Sequence, residues 1–220
     1  MTSRTTLPPE RRTVDTPAGP ARITWHRAPE PRLVLALGHG AGGGIEARDL
    51  AALAAALPPD GYTVALVEQP WRVAGKKVAP APKTLDTAWR ALWPALAEQG
   101  APVVAGGRSA GARVACRTAA GLGAHAVLAL SFPLHPPGRP EKSRDGELLS
   151  AGLPTLVVQG GADPFGKPGE YPDGDFDLLE IAHADHGFAV PKRAPLSQED
   201  ALGTLTEGVA TWLGRLGNAR

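Results

Sequence analysis

Apolar and polar stretches alternate along the chain in blocks of strand and helix length. ARITWH (21–26) reads as a short strand, and RLVLALG (32–38) as a buried strand bounded by glycine. EARDLAALAAAL (46–57) has the alanine and leucine content of a helix, stopped by Pro58 and Pro59. YTVALVE (62–68) is strand-like. TLDTAWRALWPALAEQG (84–100) predicts a helix with Thr84 as N-cap, a bend at Pro94 and Gly100 past its end. APVVAGG (101–107) is a strand, and the helix SAGARVACRTAAG (109–121) follows it. AHAVLALSF (124–132), LPTLVVQG (153–160) and FDLLEIAH (176–183) are strands, and QEDALGTLTEGVATWLGRLG (198–217) is a closing helix capped by Ser197 with Asp200.

Strands interleaved with helices imply an α/β fold, with a mainly parallel central sheet and helices on both faces. PLHPPGRPEKSRDG (133–146) is polar and rich in proline, hence loop, so a minimal lid or none is expected. Residues 1–20, rich in Pro, Arg and Thr, are expected to be a flexible or edge segment. Residues 21–220 form one domain, with neither repeat nor composition break.

Bulk properties narrow the function. Hydrophobic residues make up 43%, enough for a sizeable core, and the net charge is +1 without a concentrated basic face. Neither a nucleic acid nor an acidic membrane is therefore an expected partner. Lys76, Lys77 and Lys83 read as a solvated loop. Cys116 is the only cysteine, which rules out an internal disulfide, fits a reducing cytoplasm and reads as a small buried residue. MTSRTTLPPERRT lacks the apolar core of a signal peptide, and LAALAAAL is too short to span a bilayer. The six histidines are scattered, and His183 with His186 makes only a weak metal pair, so no metal or other cofactor is expected.

Chemistry gathers at the predicted carboxyl ends of the strands, where ligands bind in such sheets. Gly107-Arg108-Ser109-Ala110-Gly111 fits G-x-S-x-G at a strand-to-helix turn, the nucleophile elbow that exposes a serine Oγ. A serine nucleophile needs a base, and the base an orienting acid, in the chain order Ser, Asp or Glu, His. Asp163 in GGADPFG and His186 in ADHGF supply both. Asp185 is the alternative acid, but it adjoins the histidine. His183 is the alternative base, but it lies in the strand pattern. Asp173, Asp175 and Asp177 read as solvated turn residues. GHGAGGG (38–44) lets backbone approach a bound oxygen, so the N–H groups of Ala41 and Ala110 are the candidate oxyanion hole. His39 is expected to organise that loop.

A rival reading exists. Gly38, Gly40 and Gly43 match G-x-G-x-x-G between a strand and a helix, and Glu68 ends the next strand, as in a dinucleotide-binding oxidoreductase. That reading leaves Ser109, Asp163 and His186 as coincidences.

GHGAGGG, GGRSAGAR, FPLHPPGRPEK, GGADPFG and ADHGF, in this order, resemble the α/β-hydrolase superfamily. The resemblance runs from about residue 21 to about residue 216. It is strongest to the small branch related to testis-expressed protein 30 and NSL-complex subunit 3, close to dienelactone-hydrolase-like enzymes. HPPGRPEK, DPFG and EQPWRVAGKKVAPAPKTLDTAW point to that branch. The resemblance implies Ser109 as nucleophile, Asp163 as acid and His186 as base. Ala110, Ala112 and Gly187 depart from its pattern.

The function expected is a serine hydrolase acting on a small-molecule ester, thioester or lactone through an acyl-enzyme. The alternative is a catalytically silent scaffold of the same fold binding a protein partner; a homodimer is left open. Trp71 is a candidate wall of the acyl pocket or simply packs its loop, and Arg108 has no assigned role.

Overall fold

The computed structural model describes residues 8–218. The strands are β1 (Glu10–Val14), β2 (Ala21–His26), β3 (Leu33–Gly38), β4 (Tyr62–Glu68), β5 (Val103–Arg108), β6 (Ala126–Leu130), β7 (Thr155–Gly160) and β8 (Asp177–Ile181). They form one eight-stranded sheet in the order β1-β2-β4-β3-β5-β6-β7-β8. The β1–β2 and β2–β4 pairs are antiparallel, and from β4 to β8 every neighbouring pair is parallel. The helices are α1 (Arg48–Ala56), α2 (Pro70–Val73), α3 (Pro82–Ala97), α4 (Ala110–Thr118), α5 (Asp145–Leu149) and α6 (Gln198–Asn218).

Side-chain alternation along the buried strands builds two apolar layers. Val34, Ala36, Ala105, Val127 and Ala129 face α3 and α4, whose Leu85, Trp89, Leu92, Val114 and Ala115 share that layer. Leu35, Leu37, Val104, Leu128 and Val158 face α1 and α6, with Leu53, Leu205, Val209 and Trp212. The α4 side of the sheet centre carries alanines, which lets that helix sit close.

The helix that follows β3 and the helix that follows β5 therefore lie on opposite faces, although the two strands are neighbours. This is a topological switch point, and open α/β sheets bind ligands in the crevice outside the carboxyl ends of the strands at such a point. The glycine loop leaves β3 there, and Ser109 leaves β5 there.

Of the segment 1–20, expected to be flexible or an edge, residues 1–7 lie outside the described residues, and Glu10–Val14 is an edge strand paired with β2. Other elements differ from expectation. The third helix starts at Pro82, so Thr84 is not its cap. Ala81 precedes it without a side-chain bond, and proline in the first turn needs no N–H partner. Pro70–Val73 and Asp145–Leu149 are helices inside stretches read as loop. The latter docks through ion pairs of Glu147 with Arg113 and Arg117 on α4. Between β6 and β7 there is only this five-residue helix and a 3-10 turn. Among the described residues no helix is long and apolar enough to cross a membrane.

Candidate active site

Ser109 sits between the last residue of β5 and the first of α4 with φ 54° and ψ −109°. A non-glycine residue there is strained and needs its surroundings to hold it. The Ser109 N–H donates to Leu130 O at 2.9 Å, and Ser109 O accepts from Arg113 N–H at 3.2 Å. The flanking glycines follow from packing. A Cβ on Gly107 would lie 2.5 Å from Gly38 O, and one on Gly111 would lie 2.6 Å from Gly38 C. The elbow thus presses on the backbone of the glycine loop, leaving no space for a methyl at either position.

The loops after β7 and β8 are joined backbone to backbone. Ala162 N–H donates to Ala184 O and Gly161 N–H to Ile181 O, each at 2.9 Å. A Cβ on Gly160 would collide with Ala184 O. This close contact brings Asp163 and His186 together. His186 Nδ1 is 2.7 Å from Asp163 Oδ2, and His186 Nε2 is 3.0 Å from Ser109 Oγ. Asp163 is fully buried and accepts also from Phe165 N–H and Gln159 Nε2, each at 2.8 Å. With an acceptor-only carboxylate on Nδ1, that nitrogen carries the proton and Nε2 is left to accept from the serine hydroxyl. The Phe165 ring lies 4.2 Å from the His186 ring, centroid to centroid.

The alternative acid and base are elsewhere. Asp185 accepts from Gly187 N–H and Ala189 N–H, holding the turn. His183 lies beyond the end of β8, exposed and with φ 60°, rather than within the strand. Asp177 is the first residue of β8 and pairs with Arg215; Asp173 and Asp175 are exposed.

His39 organises the glycine loop. Its Nδ1–H donates to Gly40 O at 2.8 Å, and its Nε2 accepts from Gln69 N–H at 3.1 Å. Burial pushes its pKa below the ordinary value, which keeps the ring neutral for both bonds. A Cβ on Gly40 would lie 3.3 Å from Ser109 Cβ, so the loop passes directly beside the serine. Ala41 follows Gly40 on the exposed side, and Ala110 opens α4, where helix N–H groups lack partners. Among the described residues neither N–H has an intramolecular partner. Gly42 and Gly43 border open space, with nothing within 4 Å of an added Cβ. The close helix–strand packing that the third glycine of a dinucleotide fingerprint serves is absent, and Glu68 pairs with Arg22.

Two side chains that contact these residues were not read from sequence as part of the site. Arg108 Nη2 donates to His186 O at 2.8 Å, and its Nε lies 3.4 Å from Asp49 Oδ2 on α1. Gln159 bridges Asp163 and Gly166 O through its amide NH2. A polar residue inside the otherwise apolar run TLVVQG was its only signal.

Residues 30–214 match the alpha/beta hydrolase domain family. A comparison with curated proteins finds no match. Among solved structures, the chain is similar to a serine hydrolase without a lid from Xanthomonas campestris, with 23% identity, TM-score 0.67, and 94% of this chain and 97% of that chain covered. It is similar to a dienelactone hydrolase from Anabaena variabilis, with 18% identity, TM-score 0.68, and coverage of 94% and 98%. It is also similar to Est1E from Butyrivibrio proteoclasticus, with 14% identity, TM-score 0.70, and coverage of 93% and 99%. At these identities the likeness concerns the fold.

Proposed function

The chain belongs to the α/β-hydrolase domain family, and on that premise we propose that it is a serine hydrolase for small esters, thioesters or lactones, with Ser109 as nucleophile, His186 as base and Asp163 as the orienting acid. The observation that carries this is the continuous contact from buried Asp163 through His186 to Ser109 Oγ, at 2.7 and 3.0 Å.

The chemistry is acyl transfer to water. Ser109 Oγ attacks the carbonyl carbon while its proton passes to His186 Nε2. The tetrahedral oxyanion accepts from the N–H groups of Ala110 and Ala41, the former at a helix N-terminus that favours negative charge. Collapse breaks the bond to the alcohol or thiol, which takes the proton from Nε2. Water then attacks the acyl-enzyme, giving its proton to Nε2, and the acid leaves as Ser109 regains its hydrogen. Asp163 holds the imidazole in the required tautomer. The short connection between β6 and β7 leaves the crevice open, which favours small or flexible esters. The dienelactone hydrolase among the structural neighbours fits this substrate class, and HPPGRPEK and DPFG favour the testis-expressed protein 30 branch.

Labelling with a fluorophosphonate probe, followed by peptide mass spectrometry, tests the reading. Modification of Ser109 that disappears in His186→Ala is the expected result. Folded protein that takes no label would point instead to the non-catalytic scaffold.

A further inference from the structure

Gln159 stands beside the last residue of β7 and is entirely out of solvent. A buried amide is tolerated when its polar atoms are paired. Only one end of this amide is. Its Nε2 donates to Asp163 Oδ2 at 2.8 Å and to Gly166 O at 2.7 Å, while its Oε1 is buried without a partner. Turning the amide over would set Oε1 against two acceptors, so those acceptors fix its orientation. A leucine or methionine would fill the same place without an orphaned oxygen. The amide is therefore explained by what its NH2 does.

Both hydrogens go to the part of the site that serves His186. Asp163 Oδ2 is also the oxygen that accepts from His186 Nδ1–H, at 2.7 Å, so the amide and the imidazole draw on one atom. Oδ1 accepts from Phe165 N–H at 2.8 Å. Gly166 O belongs to the same turn, whose Phe165 ring lies 4.2 Å from the His186 ring. No solvent reaches Asp163 to spread its charge. What the imidazole feels is set by the other donors on the carboxylate.

Several further groups surround the pair. Arg108 donates to His186 O, with Asp49 behind it, and Asp185 adjoins His186 on its loop. His183 is exposed three residues before His186. His135 and Glu170 pair beside the Phe165 turn, and Lys167 follows Gly166. The Tyr171 phenol is pushed up by burial and by the Asp163 charge, so it stays neutral. All of these are the same with and without Gln159.

We propose that Gln159 is a positioning residue that sets the basicity of His186 through Asp163. The proposal rests on Ser109, His186 and Asp163 acting as nucleophile, base and orienting acid. With Gln159 present, part of the carboxylate charge is taken up by the amide, and less is left for the imidazolium that forms when Ser109 gives up its proton. Without it, Oδ2 turns wholly to His186 Nδ1–H, and a buried carboxylate short of one donor takes a proton more readily. Both changes favour the protonated state of the pair. Both therefore raise the pH at which Nε2 becomes free to accept from Ser109.

The test follows the rate of Ser109 labelling by a fluorophosphonate across its acid limb, in the full chain and in Gln159→Met and Gln159→Leu, which remove the donor. The expected midpoint lies higher in both variants by about one pH unit, tenfold in proton affinity. The His186 Nδ1 proton, read by NMR, should move downfield as its bond to Oδ2 tightens. Altered packing alone lowers the plateau rate and leaves the midpoint where it was. An unchanged midpoint, with Ser109 still labelled, overturns the proposal and leaves the nucleophile standing. Failure of both variants to fold makes the amide a structural group and overturns it too. No labelling of the folded, unaltered protein overturns the reading of Ser109 itself, and this inference with it.

Discussion

Arg108 reaches Asp49 with its Nε at 3.4 Å from Oδ2, and Asp49 is entirely out of solvent. The same guanidinium holds His186 O at 2.8 Å. A residue inside the elbow motif thus ties the histidine loop to a buried carboxyl on α1. Burial pushes the Asp49 pKa up, and the Arg108 charge opposes that rise.

Replacing Arg108 by Met leaves the Asp49 carboxyl buried and unpaired. Breaking such a pair costs roughly 3 kcal/mol, reduced where the carboxyl takes up a proton. Urea unfolding of Arg108→Met is expected to show a loss of that order, largest at high pH. The double variant Arg108→Met, Asp49→Leu should recover most of it. Ester turnover should fall in both, mainly in kcat, because neither restores the bond to His186 O. Equal stability of all three proteins would mean that the pair contributes nothing.

Ser109 is the clearest case of strain held at a site. With φ 54° and ψ −109°, its backbone suits glycine better than serine. Ser109→Gly is expected to raise stability by about 1 kcal/mol, a few degrees in the thermal midpoint, net of the greater freedom of glycine in the unfolded chain. Esterase activity should fall by three orders of magnitude or more, to order of magnitude. Calorimetry beside an ester assay reads both. A destabilised variant would show that the serine hydroxyl, not the backbone, sets the energetics of the turn.

The strands and the elbow were legible because each has a local cause. A buried strand shows a mainly apolar run, and β3 to β7 supply one each. The elbow needs glycine on both sides of its serine. Asp163 and His186 were legible through chain order and strand ends. What the sequence hid depends on contacts between distant segments. Arg108 is 59 positions from Asp49 by number, and nothing local in RDLAALAAA marks that acid as buried beneath the elbow. Helix α5 hides in a proline-rich stretch because Arg113 and Arg117 hold its Glu147. The helix start at Pro82 was missed because a capping threonine is a weaker signal than proline in a first turn.

His39 sets an acid limit. Its folded pKa lies below the ordinary 6.5, chiefly through burial, so the unfolded chain binds the proton more readily. The stability that this group contributes is complete above pH 6.5 and is lost as pH falls from there through the folded value. Protonation also removes the Nε2 acceptor that holds Gln69 N–H. Unfolding free energy measured from pH 8 to 5 should decline less steeply in His39→Gln than in the unaltered protein. Parallel curves would place the acid sensitivity elsewhere.

On the proposed function, Trp71 is the candidate wall of the acyl pocket. It is 6% exposed, meets the His39 ring edge-on with centroids 5.4 Å apart, and separates a small cavity beside Ala110 from a larger one. Trp71→Ala should merge the two spaces, and each further CH₂ then buried contributes about 0.8 kcal/mol, close to fourfold in kcat/KM. Phenyl hexanoate is therefore expected to gain at least about tenfold over phenyl acetate, relative to the unaltered protein. The truncation also costs roughly 3 kcal/mol of stability through the space it opens. Loss of the ring contact with His39 would loosen the glycine loop and slow every ester alike, which lowers activity without changing the profile. The chain-length ratio separates the two effects. An unchanged ratio with reduced overall turnover would assign Trp71 to the support of His39, and the acyl chain would then have to leave Ser109 on the open side of the crevice.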